Sequence, residues 1–356
     1  MRNLLTLIKP EIKGMQAYQV PESKGMLKLD AMENPFVWPP ALKEEWLTLM
    51  SSAEPNRYPD PNARELTQSM RACFDISDDM GLVLGNGSDE LIQLILMAMQ
   101  PGACIVAPMP SFVMYQHIAK ALGLTFLGVP LNRDFSLDMP AMLKVIKEHD
   151  PAVIFLAYPN NPTANLFSEQ GIHEVLEASD GIVVVDEAYH PFAKKTFLPQ
   201  VVDYAQLIVM RTVSKLGLAA LRLGFIVGQK QLIEQFEKIR LPYNINSLTQ
   251  LTATFAFKHL HVFDQQAEEI CQQREYLLAQ LSALDTVRVF PSQANFILFA
   301  LKDEEAGEVF VSLKQQGILI KNMGAMPGLP ANCLRVTVGT QIENAEFIKQ
   351  LCGILK

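Results

Sequence analysis

Across residues 81–228 one pattern repeats: a short apolar run, a stretch with helical spacing, then another apolar run. The runs fall at 82–84, 105–107, 125–129, 153–157, 182–185, 207–210 and 225–227. Runs this short, apolar throughout and bounded by turn residues fit strands buried on both faces. Between them, Leu91, Leu94, Ile95 and Ala98, or Leu143 and Ile146, share one side of a helix. The alternation predicts an α/β fold, with a large domain whose mostly parallel sheet has helices on both faces.

Outside this region the pattern changes. Upstream, Pro35, Pro39, Pro40, Pro55, Pro59 and Pro61 interrupt the chain, leaving one helix-like run near 41–50. Downstream, helical spacing covers 231–240 and 247–284, followed by strand-like runs at 287–289, 296–299 and 334–338 and a terminal helix. A chain of 356 residues suits one large domain plus a smaller one. The expected division is 51–250 for the large domain, with 1–50 and 251–356 forming a smaller α+β domain.

The net charge of -8, with Lys and Arg scattered, argues against a nucleic-acid surface. Cys73, Cys104, Cys271, Cys333 and Cys352 lie far apart without a CxxC, as reduced thiols of a cytoplasmic protein would. The longest apolar stretch, near 91–99, is interrupted by Gln93 and too short to span a bilayer, so no membrane partner is expected. Residues 1–10 are too short for a secretory leader. His259 and His261, two apart and without a carboxylate pair, give no reason to expect a metal.

The chemistry-bearing residues follow the apolar runs. Asp186 ends the run at 182–185, with Tyr189 just beyond, and the run at 207–210 leads into Arg211, Thr212, Val213, Ser214 and Lys215. Open α/β sheets place ligands outside the carboxyl ends of their strands. A lysine and an acid there meet the needs of pyridoxal phosphate: an amine to condense with its aldehyde, and a carboxylate to keep its ring nitrogen protonated. Burial behind four apolar residues calls for a cationic partner to Asp186. At about 4 Å and an effective dielectric near ~20, that attraction is worth roughly 4 kcal/mol. The stretch 85–90 opens a helix, either as an anion site at free N–H groups or as an ordinary cap by Ser88 or Asp89, the commoner case. Arg211, Thr212, Ser214 and Arg222 supply phosphate-binding groups. Asn161, in the turn 159–163, and Tyr189 can each donate to a phenolate oxygen.

These residues bring a known family into view. Leu29 to Pro35, Arg57-Tyr58-Pro59-Asp60, Gly85 to Glu90, Asn160-Asn161-Pro162-Thr163, Val185 to Tyr189, Ser214-Lys215, Leu221 to Gly224, Pro242-Tyr243-Asn244 and Leu334 to Gly339 carry the likeness. Over nearly its whole length the chain resembles the fold type I pyridoxal-phosphate aminotransferases, and within them the histidinol-phosphate aminotransferases. The resemblance implies that Lys215 carries the cofactor and serves as general base, with Asp186 on the ring nitrogen and Asn161 and Tyr189 on the phenolate. It implies Gly87, Ser88, Asp89, Thr212, Ser214 and Arg222 around the phosphate and Phe112 stacked on the ring, although Phe112 reads equally well as core. Tyr58 would reach the phosphate of a neighbouring subunit, making a homodimer. Arg335 and Lys321 would meet the substrate phosphate, with Tyr18, Asn34 and Tyr243 near an imidazole.

The chain departs from the family pattern in places. Lys215 to Arg222 is one residue shorter than in many relatives, and Ala164 and Ala220 stand where glycine is frequent. Met32 replaces a frequent asparagine, and Lys321 a frequent arginine. The implied reaction is transamination of L-histidinol phosphate with 2-oxoglutarate as acceptor, in histidine biosynthesis. An aromatic amino acid aminotransferase and a decarboxylase of a phosphorylated amino acid remain alternatives.

Overall fold

The computed structural model describes residues 4–17, 19–324 and 326–355. Its centre is a seven-stranded sheet of β1 (Met80–Gly85), β2 (Cys104–Met109), β3 (Thr125–Pro130), β4 (Val153–Ala157), β5 (Ile182–Asp186), β6 (Leu207–Thr212) and β7 (Gly224–Gln229). The spatial order is β1-β7-β6-β5-β4-β2-β3. β7 runs antiparallel to both neighbours and the remaining pairings are parallel. Each run anticipated from the sequence is one of these strands.

Alternate side chains explain why the runs lack a polar face. Ile154, Leu156, Val183, Val185, Leu207 and Val209 enter one core, whereas Val153, Phe155, Val184, Ile208 and Met210 enter the other. Helices cover both sides, so each such side chain contributes roughly 1.5–3 kcal/mol by leaving water.

Five helices matter for the site: α1 (Pro40–Met50), α2 (Gly87–Met97), α3 (Val113–Leu122), α4 (Ser247–Lys258) and α5 (Leu260–Ser282). The single long helix expected over 247–284 is divided at His259, whose backbone (φ -118°, ψ 28°) leaves the helical region. The two pieces serve different cores. α4 buries Ala253, Ala256 and Phe257 with the large sheet, while α5 sends Ile270, Leu277 and Leu281 into a second core. Residues 250 and 251, where a domain change is expected, lie inside α4.

The second core backs an antiparallel sheet of β8 (Val287–Val289), β9 (Phe296–Leu301), β10 (Lys321–Asn322) and β11 (Cys333–Thr337), in the order β10-β11-β9-β8. Met32, Ala164 and Tyr189 also belong to it, which presses this unit onto the loops at the carboxyl ends of the large sheet. Among the described residues no helix is long and apolar enough to cross a membrane.

Candidate active site

Beyond the ends of β4, β5 and β6 lies one cavity, lined by Met32, Ser88, Asp89, Phe112, Asn161, Asp186, Tyr189, Thr212, Ser214, Lys215 and Arg222. Residues far apart in sequence meet here because parallel strands all release their loops on the same side.

Asp186 ends β5 and is buried. Its Oδ2 accepts the Tyr115 hydroxyl at 2.6 Å and its Oδ1 the Ala188 N–H at 3.1 Å. Burial pushes its pKa up to about 6, against the pull of those two bonds, and the anions Asp89 and Glu187 push the same way as burial.

Lys215 Nζ donates to the Ala31 carbonyl at 3.0 Å and lies 5.9 Å from the Tyr189 ring centre. Burial, then the nearby Arg335, lower its pKa to about 8, with Arg222 and Lys28 adding to the effect and Glu33 opposing it. An amine so tuned is partly free base near neutral pH, as a nucleophile or proton acceptor needs.

Hydroxyls and a guanidinium gather at the other end of the cavity. Thr212 Oγ1 and Ser214 Oγ are 2.9 Å apart, Arg222 Nη1 donates to Ser214 Oγ at 3.4 Å, and Arg222 Nη2 stands 3.7 Å from Asp89 Oδ2. Burial raises the Asp89 pKa, while Arg222 and Lys215 oppose it. Neither Ser88 nor Asp89 caps α2: the helix starts at Gly87, its N-cap is Asn86, and no side chain caps it. Asn86 is held elsewhere, its N–H by Glu90 Oε2 at 2.6 Å and its amide by the Asn244 carbonyl at 2.7 Å. The first N–H groups of α2 therefore stay available at the cavity. Gly224 brings β7 against this turn, since a Cβ there would lie 2.9 Å from the Gly87 carbonyl carbon and 3.0 Å from Ser88 N. Gly87 itself (φ +79°) faces Arg222, which a Cβ would approach to 2.6 Å.

A third group ties the large sheet to the small one. Asn161 donates to Tyr189 Oη at 3.0 Å and accepts from Arg335 Nη1, while Arg335 Nη2 donates to the Asp30 carbonyl at 3.1 Å. Arg335 also lies over the Phe296 ring, 5.3 Å from its centre. In the β10–β11 pairing Lys321 is the register partner of Arg335, so two cations share one edge.

Other anticipated residues lie elsewhere. Tyr58 is 82% exposed and stacks on Tyr243 at 4.6 Å, and neither lines the cavity. Asn34 spends its amide on Gln266 Oε1 at 3.0 Å and the Leu216 carbonyl at 3.4 Å, behind the lysine loop. Tyr18 lies outside the described residues. Arg211 is no phosphate ligand here: it points to the opposite face from Thr212 and pairs with buried Glu187 at 2.8 Å. Strand alternation, applied to residues 211 and 212, carries that information.

Tyr115 was missed. It is fully buried between Phe155, stacked at 4.5 Å, and Phe112, edge-on at 5.6 Å. The one signal was a polar atom on the apolar side of a helix, three residues after Phe112. Phe112 borders the cavity and also packs on Tyr115.

A family model for aminotransferase class I and II matches residues 24–351. The chain belongs to that family. This aminotransferase is 52% identical over 345 residues to histidinol-phosphate aminotransferase 2 of Nitrosococcus oceani, across 97% of this chain and 96% of the relative. It is 46% identical to histidinol-phosphate aminotransferase 2 of Cupriavidus pinatubonensis, across 98% and 97% of the two chains. Among solved structures, histidinol-phosphate aminotransferase from Sinorhizobium meliloti, in complex with pyridoxal-5'-phosphate, superposes with TM-score 0.86 at 22% identity, covering 98% of this aminotransferase and 97% of that chain. The corresponding enzyme from Clostridium acetobutylicum gives TM-score 0.85 at 23% identity, covering 93% and 99%. These structures share the fold type I architecture, as the sequence pattern anticipates.

Proposed function

We propose that this pyridoxal-phosphate-dependent aminotransferase acts on L-histidinol phosphate, with 2-oxoglutarate as acceptor, giving imidazole acetol phosphate and glutamate in histidine biosynthesis. The observation that carries the substrate assignment is the register of Lys321 opposite Arg335, beside the Asn161–Tyr189 pair. Two cations on one strand pair suit a phosphate dianion, whereas an amino acid carboxylate needs only one.

The residues present fit the cofactor. The Thr212, Ser214 and Arg222 donors stand beside the uncapped start of α2. That donor set suits a phosphate at a helix N-terminus. Phe112 would flank the ring. When bound, pyridoxal phosphate supplies an electron sink for the pair left when a C–H bond beside the substrate nitrogen breaks.

The chain's own groups do the rest. Asp186 would keep a proton on the ring nitrogen, and Asn161 with Tyr189 would hold the ring oxygen. Lys215 Nζ, held near pKa 8, takes the substrate proton and holds it for return. Arg335, already fixed by Asn161 and the Asp30 carbonyl, orients the phosphate. Donor and acceptor then use the same site in turn, so ping-pong kinetics are expected. Tyr58, exposed on its own chain, completes the phosphate seat of a second copy in a cytoplasmic homodimer. The division proposed is 51–250 for the large unit and the two termini for the small one, with the rest of α4 to Lys258 packing on the large sheet.

The test is a competition of histidinol phosphate against phenylalanine and tyrosine with 2-oxoglutarate. A kcat/KM at least about tenfold higher for histidinol phosphate, the discrimination that roughly 1.4 kcal/mol of differential binding gives, supports the assignment. Equal or greater activity with the aromatic acids overturns it. With a phosphorylated amino acid as substrate, release of carbon dioxide without glutamate formation would indicate a decarboxylase. Borohydride reduction followed by peptide mass mapping tests the cofactor's attachment at Lys215.

A further inference from the structure

We infer that Tyr115 is a positioning residue for Asp186: its hydroxyl, donating at 2.6 Å to Oδ2, holds the carboxylate ionised and aimed into the cavity before any cofactor arrives. The inference rests on the reading that Asp186 partners the ring nitrogen.

The geometry leaves the phenol little freedom. Tyr115 sits on α3 with 0% of its surface exposed, its ring parallel to Phe155 of β4 (8° between planes) and perpendicular to Phe112 (84°). Burial and the adjacent Asp186 push its own pKa far up, so it keeps its proton and serves as a donor. The Ala188 N–H is a second donor, on Oδ1. A carboxylate offers about four lone-pair sites. Two are taken from behind by groups that want an unprotonated oxygen, which leaves capacity on the cavity side.

The electrostatics show why such help matters. The titratable groups that face Asp186 are Tyr115 from α3, Asp89 from α2, and Glu187 and Tyr189 from its own segment. Burial favours the neutral acid, and Asp89 and Glu187 reinforce it. Of these side chains only the Tyr115 hydroxyl favours the anion, joined by the Ala188 N–H. Without it, the balance at Asp186 moves further toward the neutral acid. A neutral acid holds a protonated ring nitrogen poorly.

Tyr115→Phe removes the hydroxyl and keeps the ring. The apo protein is loaded with pyridoxal phosphate labelled with nitrogen-15 in the ring, and both cofactor affinity and the ring-nitrogen NMR shift are followed from pH 6 to 9. The expected result is a roughly tenfold weaker affinity at neutral pH, the size of effect one charge-assisted hydrogen bond gives. The ring-nitrogen signal should also move toward the unprotonated position. Wild-type affinity and shift in the variant overturn the inference. Should Tyr115→Phe fail to fold, Phe155→Leu frees the ring while keeping the hydroxyl. It must shift both readings the same way by a smaller amount, and unchanged readings again overturn it. An unprotonated ring nitrogen in the wild type would instead sink the reading of Asp186 itself.

Discussion

Asp186 and Glu187 are consecutive and both buried, yet they serve opposite faces of the large sheet. Asp186 takes the Tyr115 hydroxyl on the face covered by α3, and Glu187 takes the Arg211 guanidinium on the other, at 2.8 Å. Glu187 also accepts from Phe197 N at 2.6 Å and from the Thr196 hydroxyl. Alternation along one strand thus separates a group proposed for chemistry from one that fixes the strand end carrying it.

Glu187→Gln should therefore cost stability rather than chemistry. It leaves the Arg211 charge buried without its counter-ion, which costs about 3–5 kcal/mol. Urea unfolding of the apo protein measures this. A loss under about 1 kcal/mol would mean that the pair is solvated or redundant. The double variant Glu187→Met with Arg211→Met should lose less than either single change, since no lone charge remains.

Attachment of the cofactor should follow the titration of Lys215. Burial and Arg335 depress its pKa to about 8, so the reactive neutral amine grows as pH rises through that value. The loading rate of apo protein, followed by absorbance, should climb between about pH 7 and 9 and then level off, as for a group of pKa near ~8. A rate still climbing steeply above pH 10 would place the amine at an ordinary lysine pKa. Lys215→Arg should never give a borohydride-fixed adduct.

Arg335→Lys should reduce kcat/KM by about a hundredfold while cofactor loading stays at wild-type level. An ammonium cannot reproduce the fork that reaches the Asn161 side chain and the Asp30 carbonyl together. Lys321→Ala should lose less, about tenfold, and only with phosphorylated substrates. Equal losses with phenylalanine would remove Lys321 from phosphate recognition.

Backbone strain gives a prediction independent of chemistry. Ala164 is fully buried at φ +61°, and Met32 is buried at φ +53°. Ala164→Gly and Ala253→Gly each delete one buried methyl, but only the first relieves a left-handed backbone. The change at 164 should cost at least about 1 kcal/mol less than the change at 253, within helix α4. Calorimetry of the two variants decides it.

The strands were legible because apolar runs without a polar face leave few other structures open. That Lys215, Asp186, Asn161 and Thr212 would line one cavity was legible because each follows a run, whereas Arg222 precedes one and reaches the cavity only through the turn before β7. Several features were not. The antiparallel direction of β7 depends on how its loop returns, which hydropathy does not record. The division at His259 arises from two cores competing for one helical stretch. Tyr115 looked like any apolar-face aromatic, because its value lies in a contact with a residue 71 positions away.

The floor of this site is set by an atom that is missing. Position 224 contributes no functional group, yet any side chain there would push the first turn of α2 away from the strand. Sequence drift at this mute position would thus surface as weaker coenzyme retention, with no residue of the chemical machinery itself replaced.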